Sequence, residues 1–368
     1  MSGPFGSSQW MYKSGEVIAW GGTRMISGGG TTGNGGTAAG NANSIDYVNA
    51  TAASGNSADF GDLSAVRISL GAVSSTGRMV FLGGNPSYVN IMEYITPAST
   101  GNVTDFGDLV VGSAFNGHQA SSGIRGVFHT GSRSAANGGS YHNELEYITI
   151  ATTGNASDFG DLDTARAGAA GSGNGIRGIF WAGNIDAVPV HTKKIQYITF
   201  ASTGNATNFG DMVRIVTSHS ACGNADRNIC VGGFYGSLQD TIEYINPAST
   251  GNTQDFGNLL NPTYMLQGAE TAIRGLINGG YGAVSYENTI QYVTLASTGN
   301  ATDFGDLSAA KSQLTAVSSN IRGVFAGGYA GGNIDVMEYI TIASVGNVTD
   351  FGNLSVARAL LAGCSSTL

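Results

Sequence analysis

The stretch Ile321–Leu354, IRGVFAGGYAGGNIDVMEYITIASVGNVTDFGNL, decides the fold, because its landmarks recur seven times along the chain. The Phe of its Asp-Phe-Gly or Asn-Phe-Gly triplet reappears as Phe60, Phe106, Phe159, Phe209, Phe256, Phe304 and Phe351, at intervals of 46, 53, 50, 47, 48 and 47 residues. Twelve residues before it stands a Tyr (Tyr94, Tyr147, Tyr197, Tyr244, Tyr292, Tyr339), with Tyr47 thirteen before the first Phe. An acid or its amide precedes each Tyr: Asp46, Glu93, Glu146, Gln196, Glu243, Gln291 and Glu338. Twenty-four residues after the Phe comes a Gly, as in Gly84, Gly183, Gly233, Gly280 and Gly328, or twenty-five in the case of Gly131. A Gly precedes most of these; Thr130 and Ala182 stand there in two repeats, and Gly21-Gly22 reads as the first diglycine.

Each repeat divides into four short strand-like runs. In the last complete copy they are roughly Ala309–Val317, Ile321–Ala326, Met337–Ala343 and Val348–Leu354. A near-constant Ser-Thr-Gly-Asn turn joins the last two and supplies the positive-φ residues that a hairpin requires. Four short antiparallel strands repeated seven times at a period near ~50 residues predict an all-β, seven-bladed β-propeller. It fills 15–368, with 1–14 as an N-terminal tail.

The ends of the chain fit that reading. Gly15–Gly22, Ile45–Asn49 and Ala58–Leu63 read as a second, third and fourth strand with no first before them. Val356–Ser365 reads as a first strand with nothing after it. A C-terminal strand completing the N-terminal blade removes an open sheet edge.

Composition excludes several classes. Gly is 58 of 368 residues and 11% of residues are charged, which suits tight turns between strands. A hydrophobic content of 41% and a net charge of −9 argue against disorder. The acidic balance opposes nucleic-acid binding. No apolar run reaches the ~20 residues of a membrane-spanning helix, and the N-terminus does not read as a secretory signal. Cys222, Cys230 and Cys364 show no metal-ligand spacing, nor do the five histidines. Cys222 and Cys230 read as buried small residues on neighbouring strands in a reducing compartment. No nucleophile, base and orienting acid stand together, so no enzyme, cofactor or metal is expected.

The repeated residues read as structural. The seven Phe and Tyr are expected to pack between blades. Arg78, Arg125, Arg177, Arg227, Arg274 and Arg322 open second strands, and Arg67, Arg166, Lys311 and Arg358 follow the Phe by seven. Both sets are expected to pair with the repeated acids; lining an anion-binding channel is the alternative. Repeats two and five carry Ser113 and Thr263 in place of the second cation.

Nearly all length variation falls between the second and third strands, and variable loops on a rigid scaffold are where recognition concentrates. These loops carry the candidate ligand- or partner-binding residues: Tyr88, Arg133, Tyr141, His142, His191, Lys193, Lys194, Phe234, Tyr235, Tyr281, Tyr286 and Tyr329. Aromatics with polar neighbours suit a sugar or a protein surface. The stretch 23–43, nearly all small and polar, reads as one long loop. Phe5, Trp10 and Tyr12 mark the tail as a docking peptide.

The hydrophobic run, diglycine, Glu-Tyr pair, later aromatic and basic residue resemble the kelch family over about residues 15–366, with Phe where Trp is usual. That resemblance implies a propeller and leaves function open. The Gly/Ser/Thr/Asn-rich, charge-poor repeats also resemble propeller proteins of tailed phages of marine bacteria. This likeness implies a virion component, made in the host cytoplasm, of tail-fibre, adhesin or capsid-decorating type. Its partners would be other virion proteins or a host surface glycan. An intracellular kelch-like adaptor and a glycan-active propeller enzyme are the alternatives.

Overall fold

The computed structural model describes residues 24–33, 40, 42–49, 52, 54–75, 77–113, 119–131, 141–185, 191–319 and 321–365. They form seven four-stranded antiparallel sheets, the blades of a β-propeller. Blade 2 has the general pattern: Gly71–Ser74 innermost, then Met79–Leu82, Ile91–Ile95 and the outer Thr104–Asp108. The first strand of every blade lies against the first strands of its two neighbours, so seven inner strands form a closed ring.

Blade 1 is assembled from both ends of the described chain. Its strand order is Ala362–Ser365, Arg24–Gly28, Ser44–Asn49 and Ala58–Asp62. The expected closure by a C-terminal first strand is present, but the second strand is Arg24–Gly28 and not Gly15–Gly22, which lies outside the described residues. The diglycine that ends it is Gly29-Gly30, so the stretch 23–43 is not one loop. The innermost strands are also shorter and later than the small-residue runs suggest. In blade 7 the first strand is Thr315–Ser318, and Lys311 and Ser312 belong to the crossing from blade 6.

Seven hydrophobic clusters hold the ring, each shared by two adjacent blades. Phe256, for example, packs with Ile242 and Cys222 of blade 5 and with Ile277 and Val293 of blade 6. Cys222 and Cys230 are buried and on adjacent strands, but they face opposite sides of blade 5, in the clusters toward blades 6 and 4.

The Phe-Gly motif is one half of an interblade latch, and the Ser-Thr-Gly-Asn turn of the next blade is the other. The turn glycine donates its N–H to the ruler Phe carbonyl at 2.6 to 2.8 Å in all seven seams, including Gly55 to Phe351. The turn Asn accepts, through Oδ1, the N–H two residues after that Phe at 2.9 to 3.1 Å. The glycine after the Phe allows this approach. A Cβ on Gly160, at φ +136°, would sit 2.4 Å from the backbone of Gly204. Gly160→Ala is expected to cost about 2–4 kcal/mol, combining clash with left-handed strain. Gly204→Ala, which has open space around its Cβ, is expected to cost less. Urea melts of the two variants check this.

The two sets of cations do different work. The residues that open second strands, Arg24 included, stack on the Tyr of their own blade at 4.3 to 4.9 Å from the ring centroid. Each also donates to a carbonyl of the next blade: Arg24 to Pro97, Arg78 to Ile150, Arg125 to Phe200, Arg177 to Pro247, Arg227 to Leu295, Arg274 to Ile342 and Arg322 to Ala52. The six expected to pair with the repeated acids, Arg78 to Arg322, instead make these ring and carbonyl contacts. Strand parity explains it: Arg322 lies opposite Thr341, so Tyr339 shares its face and Glu338 points to the other. The rings complete the unit, each Tyr meeting its Phe edge-on at 5.6 to 6.0 Å.

The second set does meet the acid or amide of the following blade. Arg67 pairs with Glu93, Lys311 with Glu338, Arg358 with Asp46 and Arg166 with Gln196, all buried. The Phe209 repeat has Val216 at this position, and Arg214 reaches Glu243 instead, Nε to Oε1 at 2.9 Å.

Candidate recognition face

Strand direction sorts the connections onto two faces. The turns between strands one and two, and between three and four, lie on one face with the arginines and latches. The loops after the diglycines and the blade-to-blade crossings lie on the other. There the residue after the diglycine forms a bridge to the crossing: Thr31 to Ala359, Asn85 to Ile68, Asn184 to Ala167, Phe234 to Thr217, Tyr281 to Tyr264 and Tyr329 to Ser312. The diglycine is what lets the chain turn so close beneath. A Cβ on Gly233, at φ +105°, would fall 2.3 Å from Val216.

One repeat position therefore rings this face, and its chemistry is divided. Blades 1, 2 and 4 place Thr31, Asn85 and Asn184 there, and blades 5, 6 and 7 place Phe234, Tyr281 and Tyr329. In the second sector the rings join into a ladder. Centroid separations are 5.9 Å for Phe234–Tyr264, 5.7 Å for Tyr264–Tyr281, 5.3 Å for Tyr281–Tyr286 and 5.8 Å for Tyr286–Tyr329. His191 and Tyr235 add a pair at 5.3 Å beside Phe234.

The ladder is open to solvent. Phe234, Tyr235 and Tyr281 are 41%, 44% and 36% exposed, and the other rings are half-buried. Phe234–Tyr235 and Ser237–Leu238 form a small hairpin of their own above blade 5. Partial burial raises the Tyr264 phenol above its usual range, with Tyr281 adding to it. The Tyr286 phenol is raised by burial first and then by Tyr329, Tyr281 and Tyr264. Both hydroxyls are thus protonated donors at neutral pH. Burial lowers the His191 imidazole, whose Nδ1 lies 2.5 Å from Asn184 Oδ1, and raises the Glu287 carboxyl. The sector offers apolar ring faces, neutral donors and one carboxyl.

The other candidate residues fall elsewhere. Tyr88 lies in the blade 2 loop with φ +50° and is not among the ladder contacts. His142 begins the third strand of blade 3, with Tyr141 just before it, and His142 Nδ1 is 3.4 Å from Glu144 Oε2. Lys193 and Lys194 are engaged with Asp211 and Asp163 at 3.5 and 2.6 Å, which matches their charge within the outer strands. Arg133, Phe5, Trp10 and Tyr12 lie outside the described residues. Tyr264 is the member that the loop lengths do not reveal, because it sits in a crossing of nearly constant length. Its signal is chemical: in the sequence it is the sole aromatic eight residues after a ruler Phe.

Among the described residues no three His, Cys, Asp or Glu side chains are grouped to hold a metal ion. Among the same residues no helix is long and apolar enough to cross a membrane. No family model matches the chain, and no curated protein does. What defines it is its fold: the chain is a seven-bladed β-propeller closed by its C-terminal strand.

Proposed function

We propose that this chain is a non-enzymatic recognition scaffold whose aromatic sector, on the loop face of blades 5 to 7, binds a neutral glycan. The observation that carries this reading is the ladder itself. Three of its five linked rings, Phe234, Tyr281 and Tyr329, stand on a position that blades 1, 2 and 4 fill with Thr or Asn, so the fold does not require them there. Rigid, half-exposed aromatics with phenolic donors provide stacking area and hydrogen bonds at little entropic cost. The finer reading is a surface component of a tailed phage, of tail-fibre, adhesin or capsid-decorating type, bound to a host glycan or another virion protein. Its support is the resemblance of the charge-poor repeats.

A glycan array probed with the intact chain tests the reading. Binding to neutral glycans is expected, with affinity falling at least about tenfold in Tyr281→Ala and in Phe234→Ala. Lys193→Ala is expected to leave it unchanged. Failure to bind any glycan, or turnover of a polysaccharide, overturns it.

A further inference from the structure

On the opposite face, the turn joining strands one and two has a repeated form. Its first residue is Ser122, Asn174, Asn224, Thr271 or Ser319 in blades 3 to 7, and that side chain accepts the N–H of the Arg three residues on. The residue just before the Arg is Ile124, Ile176, Ile273 and Ile321 in blades 3, 4, 6 and 7. These isoleucines are 65% to 70% exposed. Their carbonyls accept N–H groups of Ile150, Phe200, Leu295 and Ile342, work that any residue's backbone does. Blades 2 and 5 carry Gly77 and Asp226 in the same place, so the fold does not need an apolar side chain there. Because the first strands form the inner ring, the four isoleucines surround the mouth of the central channel.

Their arrangement is self-complementary. When two such rings meet face to face about a two-fold axis, the blade order of one runs backwards over the other. An axis through blade 5 sets blade 4 on blade 6, blade 3 on blade 7, and blade 1 on blade 2. Every isoleucine then meets an isoleucine. Arg24 and Ser365, where the described chain leaves blade 1, face the Gly77 turn of the other copy, and a Cβ on Gly77 meets nothing within 4 Å.

We infer that this face is an isologous docking surface for a second copy of the chain, with Ile124 on Ile321 and Ile176 on Ile273. Burial of the eight isoleucines drives the association. Asp59, Asp105, Asp158, Asp255, Asp303 and Asp350, exposed toward the rim of the same face, oppose it through like charge. Added salt screens that repulsion and strengthens the dimer.

Sedimentation equilibrium of the full chain, at low and high salt, tests the inference. A monomer–dimer equilibrium shifted toward dimer by salt is expected, and conversion of all four isoleucines to Thr is expected to give a monomer with the parent melting temperature. Cysteine cross-linking tests the register. Asp226→Cys, on the axis, is expected to link to itself, and Ile176→Cys to link only when mixed with Ile273→Cys. A monomer at every concentration, a dimer weakened by salt, or self-linking of Ile176→Cys overturns the inference. So does a dimer that forms only once residues 1–23 are removed, since that segment would then be the occupant.

Discussion

Removal of residues 356–368 is expected to abolish cooperative unfolding of the whole chain, not only to loosen one blade. The deletion takes away Ala362–Ser365, the innermost strand of blade 1, and leaves Arg24–Gly28 with an unpaired edge. It also removes Arg358, Leu361 and Ala362 from the packing at the two seams of blade 1. Each blade packs against two neighbours, so an open ring loses apolar burial at a seam and gains an edge that pairs with other chains. Circular dichroism melts and size-exclusion chromatography measure it. A truncated chain that melts in one transition near the parent temperature contradicts the proposed closure.

Asp46→Ala is expected to cost about 3–5 kcal/mol, the usual range when one partner of a buried ion pair is deleted. Asp46 Oδ2 accepts from Arg358 Nη2 at 2.5 Å and from the Ser355 hydroxyl at 3.0 Å, joining residues from opposite ends of the chain. Burial disfavours the guanidinium of Arg358, and Asp46 is the charge that offsets this. Two comparisons sharpen the expectation. Asp46→Asn should cost less, because the protein itself seats Arg166 on the neutral Gln196, with Asp163 nearby. Asp46→Ala combined with Arg358→Met should recover part of the loss, because no buried charge is left alone. Chemical denaturation of the three variants gives the order, and equal losses in all of them contradict the account.

The fold was legible because its landmarks keep rigid spacings. The Phe-Gly triplet and the Ser-Thr-Gly-Asn turn grip each other across every seam, so neither can drift in sequence. Blade 1 was misread because Gly21-Gly22 follows an apolar run, as a true second strand would require. Another spacing identifies the correct pair: each second-strand Arg stands six residues before the second Gly, and Arg24 does so for Gly30. The cations were half legible. Charge alone suggested acids for both sets, whereas period-two alternation places the second-strand arginines on the Tyr face. Part of the aromatic sector was legible as loop composition, since Phe234, Tyr235, Tyr281, Tyr286 and Tyr329 were all singled out. Their union into one ladder was not, because it depends on Tyr264, which reaches them from a crossing. Tyr88, Lys193 and Lys194 looked equivalent to them in sequence, and only the geometry separates these residues from the ladder.

We propose a division of labour in which the repeated residues hold the ring and the aromatic sector serves recognition. Thermal melting of a chain with Phe234, Tyr235 and Tyr281 all changed to Ser, with and without a glycan that raises the parent melting temperature, tests it directly. A melting temperature within a few degrees of the parent, with no rise when the glycan is added, is expected. A variant that unfolds far below the parent, or still responds fully to the glycan, contradicts it.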